Sequence, residues 1–121
     1  MKSVWTLEID RDVQEGVLVL GLRGRLGSAS AGGLIDAVIL GLDNGHRAIL
    51  VDLEGVDYMS GAGLIAVDAS AGRMRVAGGE LVLCAACDPV RLVLEFGGLL
   101  ADVPLEPSRN AGLERLKRSG A

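Results

Sequence analysis

The sequence predicts an α/β domain in which a mixed, mostly parallel sheet of four to five strands is packed by about four helices. Three observations lead to this prediction. Short apolar runs alternate with segments of helical periodicity along most of the chain. The first two apolar runs are separated by the turn-forming pair Glu15-Gly16, which indicates an antiparallel hairpin. The unbroken apolar run at residues 48–51 indicates a strand that is buried on both faces, as in a parallel sheet.

The predicted elements follow the order β-β-α-β-α-β-α-β-α. Strands are expected at residues 4–9, 16–23, 47–53, 80–85 and 103–105. Residues 24–27 are expected to form a loop, and the polar residues after Leu53 a short turn. Capping and helix-breaking residues predict the helix boundaries. The first helix is expected to begin at Ser28 or Ser30 and to end at Asn44-Gly45, and the second to span residues 61–77. The third is expected to run from Asp88-Pro89 to Gly97-Gly98, and the fourth to begin at Pro107-Ser108. The helix side chains expected to face the core are Leu34, Ile35, Val38, Ile39, Leu42, Leu64, Ile65, Val67, Ala71, Met74, Val90, Leu92, Val93, Phe96, Ala111, Leu113 and Leu116.

The amino-acid composition argues against several classes of function. The 121 residues fit one domain, residues 1–121, and half of them are apolar, with one Trp, one Tyr and one Phe. An aliphatic core is therefore expected, whereas binding of RNA or single-stranded DNA, which depends on aromatic stacking, is not. The formal net charge of −4 argues against any nucleic acid as a partner. The sequence shows no signal peptide and no apolar run long enough to span a membrane, so we expect no membrane insertion and a cytoplasmic location.

Thiol, metal and histidine chemistry is poorly supported. Cys84 closes an apolar strand and Cys87 precedes Pro89, so neither matches a redox pair whose first thiol lies at a helix N-terminus. One histidine, His46, and two cysteines do not supply the four ligands of a zinc site. The acidic residues Asp52, Glu54 and Asp57 lack a calcium-loop pattern and are expected to form a solvated turn. The sequence therefore predicts no catalytic residue, no metal and no cofactor.

The most informative segment of the chain is residues 51–64. Its apolar strand runs through a short polar stretch into a cluster of small residues that opens the second helix. This layout places a helix N-terminus, the Ser60 hydroxyl and the glycines Gly61 and Gly63 on one exposed edge. Such an edge can accept a phosphate, a phosphoserine or the surface of a partner protein.

Four stretches carry a resemblance to a known family. They are residues 20–26 at the second strand, 51–53 with 58–64 at the start of the second helix, 78–84 at the fourth strand and 89–99 at the third helix. Together, in this order and spacing, they resemble a stand-alone STAS domain, the fold of bacterial anti-sigma factor antagonists.

The resemblance implies a non-enzymatic role in partner switching. In this family the antagonist binds a kinase-type anti-sigma factor and so releases the sigma factor. The kinase phosphorylates one serine of the antagonist, and a PP2C-type phosphatase resets it. A phosphoserine adds about 1.5 to 2 negative charges to the interface, which opposes rebinding. The residues that we expect to contact the partner are Arg25, Leu26, Tyr58, Met59, Ser60, Gly61, Ala62, Gly63, Leu64 and Asp68.

The sequence departs from the family pattern at the phosphorylation site. Gly61 stands where the phospho-acceptor serine is usual, and Ala62 lacks the next hydroxyl. Three interpretations of Ser60 remain: a helix N-cap, a phospho-acceptor displaced by one residue, or a polar contact in a constitutive interface. Asp68 on the second helix faces either the partner or water.

Two other functions remain as alternatives. The missing acceptor favours a STAS subunit of an ABC-type lipid transport complex, or another scaffold that works without phosphorylation. An enzymatic alternative places thiol chemistry at Cys84 and Cys87, or nucleotide use at the glycine-rich residues 24–33. That stretch lacks the phosphate-loop pattern and contains no lysine, so it is better explained as the entry to the first helix.

Overall fold

The structure, a computed structural model, describes residues 6–118. Within this range the predicted order of elements is confirmed. The strands are β1 (Leu7–Gln14), β2 (Val17–Leu26), β3 (Ala48–Met59), β4 (Glu80–Cys84) and β5 (Leu105–Glu106). The helices are α1 (Ala31–Asp43), α2 (Gly61–Val76), α3 (Asp88–Phe96) and α4 (Arg109–Arg118), with a short 3₁₀ turn at Leu99–Ala101.

The five strands form one mixed sheet in the order β1-β2-β3-β4-β5. β1 and β2 are antiparallel, as the hairpin prediction required, and the other neighbouring pairs are parallel. The turn between β1 and β2 has positive φ at both Glu15 and Gly16. This is the backbone conformation that matches the twist of a two-residue hairpin.

Helices cover both faces of the sheet. α1, α2 and α3 pack on one face against aliphatic residues such as Leu20, Ile49 and Leu83. Within residues 6–118, α4 is the one helix on the opposite face, where Leu113 and Leu116 pack with sheet residues such as Leu50 and Val82. Because β3 lies in the middle of the sheet, its residues 48–53 are buried on both sides, as predicted.

Strands β2 and β3 run further than the sequence predicted. The loop expected at residues 24–27 was wrong for residues 24–26, and the turn expected after Leu53 was wrong as well, because Arg25 pairs with Tyr58 and Leu26 with Met59. Two register shifts, between Gly21 and Arg23 and between Gly24 and Arg25, let the strands stay paired through this polar region. β1 extends to Gln14, and residues 4–5 of the predicted first strand lie outside the described residues.

The solvated acidic turn was also a wrong prediction for Asp52. Its side chain is buried on the α4 face, and Oδ2 accepts a hydrogen bond of 2.9 Å from Nε of Arg109. Nη2 of Arg109 also lies 2.9 Å from Oδ2, which completes an ion pair. Oδ1 accepts a hydrogen bond from the Glu54 backbone N–H at 3.0 Å. Since Arg109 is the first residue of α4, this ion pair fixes the start of α4 to the central strand.

Three side chains expected in the core point to solvent instead. Ile65 is 69% exposed, Phe96 86% and Leu92 44%. α2 instead buries Ala66 and Ser70, and α3 buries Leu94. The inward side predicted for α2 is confirmed at Val67, Ala71 and Met74 and was wrong at Ile65. Apolar residues also lie on the side of α2 opposite the core, so hydrophobicity alone does not assign each of them.

A close backbone contact joins α2 to the end of β2. The Ser60 N–H donates a 3.0 Å hydrogen bond to the carbonyl oxygen of Leu26. A Cβ atom added at Gly63 would collide with that same oxygen and crowd the side chains of Leu26 and Met59. Only glycine therefore allows the first turn of α2 to approach the strand so closely.

We expect Asp52→Asn to lower the free energy of unfolding by about 2 kcal/mol. The substitution keeps the side-chain volume but removes the charge that pairs with Arg109. The cost is smaller than for a fully buried pair because the Arg109 side chain is 42% exposed. Chemical denaturation measures the change. The control is Glu95→Gln, which disrupts the exposed pair with Arg91 and should cost below about 0.5 kcal/mol. Equal effects would contradict the structural role of Asp52.

We expect Gly63→Ala to destabilise the fold and Gly33→Ala to leave it unchanged or stabilise it. Each glycine is the third residue of its helix, so the two substitutions bring a similar gain in helix propensity. A Cβ at Gly33 meets nothing within 4 Å, whereas one at Gly63 meets the Leu26 carbonyl. Thermal unfolding of the two variants side by side measures the difference. Similar melting temperatures would show that the contact of α2 with β2 tolerates a methyl group.

Candidate functional site

The site lies at the edge of the sheet where β2 and β3 end and α1 and α2 begin. Because these strands are parallel, both strand-to-helix connections emerge at the same edge. Ser30 immediately precedes α1 and Ser60 immediately precedes α2. Neither helix has an acidic residue in its first turn, so the partial positive charge of both N-termini is left uncompensated by their own side chains.

Ser60 caps α2. Its Oγ accepts a hydrogen bond of 3.4 Å from the Gly63 N–H, and its own carbonyl oxygen accepts the first helical bond from Leu64. The N-cap interpretation of Ser60 is thereby confirmed. The side chain is half-buried and lies 3.6 Å from the position of a Cβ added at Gly27.

The Ser30 side chain makes hydrogen bonds within the loop before α1 and does not cap the helix. Its Oγ donates a 2.7 Å hydrogen bond to the Arg25 carbonyl oxygen and accepts one of 3.1 Å from the Gly27 N–H. It forms no side-chain cap to α1. Of the two predicted helix starts, Ser30 is thus the residue at the boundary, and Ser28 lies in the exposed loop.

A shallow cavity of about 350 Å³ opens at this edge. Its lining residues are Gly27, Ser28, Ala29, Tyr58 and Ser60. Tyr58 is 42% exposed, and the guanidinium carbon of Arg25 lies 5.6 Å from the centroid of its ring, which is a cation–π arrangement. We call the surface formed by Arg25, Gly27, Ser28, Tyr58, Ser60 and Gly61 the docking edge.

Gly61 is the exposed corner of the docking edge. A Cβ added there would meet nothing within 4 Å, and its φ lies outside the left-handed region. The glycine is therefore not required by the fold. Larger side chains fit at this position and would project from the surface.

The other residues predicted to contact a partner divide into two groups. Ala62 and Leu64 are half-buried, and Asp68 is exposed on α2. The side chains of Leu26 and Met59 are buried, as is Gly63, so these residues position the docking edge without presenting a surface of their own. Sequence reasoning missed Gly27, Ser28 and Ala29, although their small side chains next to a strand end were a usable signal.

The thiols and the histidine do not form a second site. Burial is the main cause that raises the pKa of the Cys84 thiol to about 12, and the nearby Asp52 carboxylate adds to it. Cys87 is exposed, and its Sγ donates a weak hydrogen bond of 3.5 Å to the Val56 carbonyl oxygen. Across residues 6–118 no group of three His, Cys, Asp or Glu residues could hold a metal ion. In the same range no helix has the length and apolarity that crossing a membrane requires.

Comparisons with known proteins agree with this architecture. The family model for the STAS domain matches residues 8–112. BtrV of Bordetella bronchiseptica, named as an anti-sigma factor antagonist, is 36% identical over 111 residues, which cover 92% of this chain and 96% of BtrV.

Two crystal structures of proteins described as anti-sigma factor antagonists share the fold. The one from Mycobacterium paratuberculosis has a TM-score of 0.86 at 20% identity and covers 97% of this chain and 99% of its own. The one from Thermotoga maritima has a TM-score of 0.84 at 18% identity and covers 90% and 94%. The family model and the identity to BtrV establish that the chain belongs to the STAS domain family of anti-sigma factor antagonists.

Proposed function

We propose that this chain is a cytoplasmic anti-sigma factor antagonist that binds a kinase-type anti-sigma factor through the docking edge and the first turn of α2. The observation that carries the proposal is the 36% identity to BtrV over 92% of the chain. The docking edge supports it, because a shallow cavity, an exposed tyrosine and two helix N-termini without acidic residues form a surface suited to a protein partner.

We further propose that binding does not depend on phosphorylation at the family position. Gly61 has no hydroxyl, so the kinase cannot place a phosphoryl group there. The neighbouring Ser60 hydroxyl is engaged with the Gly63 N–H and is half-buried beside Gly27. Transfer to Ser60 would have to occur at this half-buried hydroxyl while it serves as the helix cap. A kinase and a PP2C-type phosphatase therefore do not switch the complex through residue 61.

The missing hydroxyl at Gly61 also supports a second candidate function. A STAS subunit of an ABC-type lipid transport complex also has no need of a phospho-acceptor, and Gly61 is compatible with that role. The two candidates differ in the protein that occupies the docking edge. Stable binding of a purified permease and ATPase pair from the same genome, with no binding of the kinase-type anti-sigma factor, would favour the transport role.

We expect Gly61→Asp to weaken binding of the kinase-type anti-sigma factor from the same genome by about tenfold or more. A carboxylate at this exposed corner would have to be desolvated inside the interface, as a phosphoserine would. The fold should be unaffected, because nothing lies within 4 Å of an added Cβ and acidic residues are favourable at a helix N-terminus. Isothermal titration calorimetry measures the affinity.

The matched control for this change is Gly61→Ala, which adds bulk without charge and should alter the affinity by less than about threefold, under 1 kcal/mol. Comparable affinities for the two variants would place the interface away from Gly61.

Incubation with the purified kinase and ATP should leave the wild-type chain unmodified. Gly61→Ser should gain one phosphate, since its hydroxyl would stand exposed at the family position. Intact mass spectrometry measures both outcomes. Adding Ser60→Ala to the Gly61→Ser chain should preserve the gain. A phosphate on the wild-type chain that Ser60→Ala abolishes would instead identify Ser60 as a displaced acceptor.

A further inference from the structure

An apolar stripe runs along the solvent side of α2, away from the core. It consists of Ile65, Ala69, Gly72 and Val76, which are spaced by four, three and four residues. Ile65 is 69% exposed and Val76 is 92% exposed. This is the repeat of a helix-pairing seam, and the fold leaves it uncovered. We call these four residues the outer stripe.

Two charged side chains flank the outer stripe on one side. Asp68 and Arg75 are seven positions apart, so both lie on the same side of α2 but about 10 Å from each other along its axis. Both are exposed. Among residues 6–118 neither side chain takes part in an ion pair or a hydrogen bond, whereas Arg109, Arg115 and Lys117 of α4 are all paired.

The outer stripe is complementary to itself when two copies are antiparallel. Ile65 then faces the second copy's Val76, and Ala69 faces the second copy's Gly72. The large residues meet at the two ends, and the small ones meet at the centre, where a Cβ at Gly72 has nothing within 4 Å and a partner helix can come close. Along the flank, Asp68 faces the second copy's Arg75, and the two-fold symmetry repeats this pair.

We propose that a second copy of this chain docks on the outer stripe, forming a two-fold symmetric dimer through an antiparallel pair of α2 helices. A second copy is favoured over a foreign helix because one and the same helix carries both the apolar pattern and both signs of charge that such a pairing needs. The inference goes beyond the proposed function, since it concerns a surface and a partner that anti-sigma factor binding does not require.

The mass of the wild-type chain in solution is the first test. Sedimentation equilibrium over a series reaching about 100 µM should show a concentration-dependent rise from 12.5 kDa toward twice that mass, as expected for a small interface. Val76→Asp should remain a monomer and should fold normally, because this side chain is almost fully exposed. The matched control is Val13→Asp on β1, where a valine that is 54% exposed lies outside α2 and the dimer should persist. A wild-type chain that stays monomeric throughout overturns the proposal.

Charge exchange tests the antiparallel register. Asp68→Arg puts arginine at both flanking positions and Arg75→Asp puts aspartate at both, so each variant alone should dimerise at least about tenfold more weakly than the wild type. An equimolar mixture of the two should recover dimer formation, because each charge then faces its opposite. The double variant, Asp68→Arg with Arg75→Asp, should recover it as well. A mixture that associates no better than its components would overturn the proposed pairing.

Discussion

The backbone contact between the first turn of α2 and the end of β2 is the constraint on which the docking edge depends. The Leu26 carbonyl oxygen accepts the Ser60 N–H and lies where any side chain at Gly63 would have to be. This contact needs β2 and β3 to stay paired as far as Leu26 and Met59, and the same pairing sets Arg25 beside Tyr58. Residues that are buried, and so unable to touch a partner, thus determine the shape of the exposed docking edge.

Sequence reasoning succeeded where the structure is decided by neighbouring residues. The hairpin at Glu15-Gly16, the helix ending at Asn44-Gly45 and the cap at Ser60 follow from the conformational preferences of the residues themselves. The sequence-based predictions failed where a segment distant in the chain determines the local structure. The pair of Asp52 with Arg109 joins residues far apart in the chain, and no local pattern distinguishes this aspartate from a solvated one.

The same contrast between neighbouring and distant residues holds for the candidate site. The positions of Ser60 and Gly61 at a helix start could be read from the chain, but the stacking of Arg25 on Tyr58 could not, because it arises from a strand pairing that runs through polar residues. The polar residues after Leu53 predict a turn from sequence alone, but in the structure the neighbouring strand β2 pairs with them. β-structure of this kind depends on the partner strand more than on the propensity of its own residues.

α2 carries apolar residues on two opposite sides, one facing the core and one facing solvent. The inward side of α2 is accounted for by the core, which takes Val67, Ala71 and Met74. The outer stripe is exposed to solvent in a single chain. Ile65 lies one helical turn beyond Gly61 on the same side of α2, so a second copy seated on the outer stripe would stand against any protein bound at the docking edge. The two associations would therefore compete for one helix, and the free monomer would be the form able to bind an anti-sigma factor. Competition of this kind would let protein concentration limit the binding of an anti-sigma factor without phosphorylation, which agrees with the proposal that Gly61 accepts no phosphoryl group.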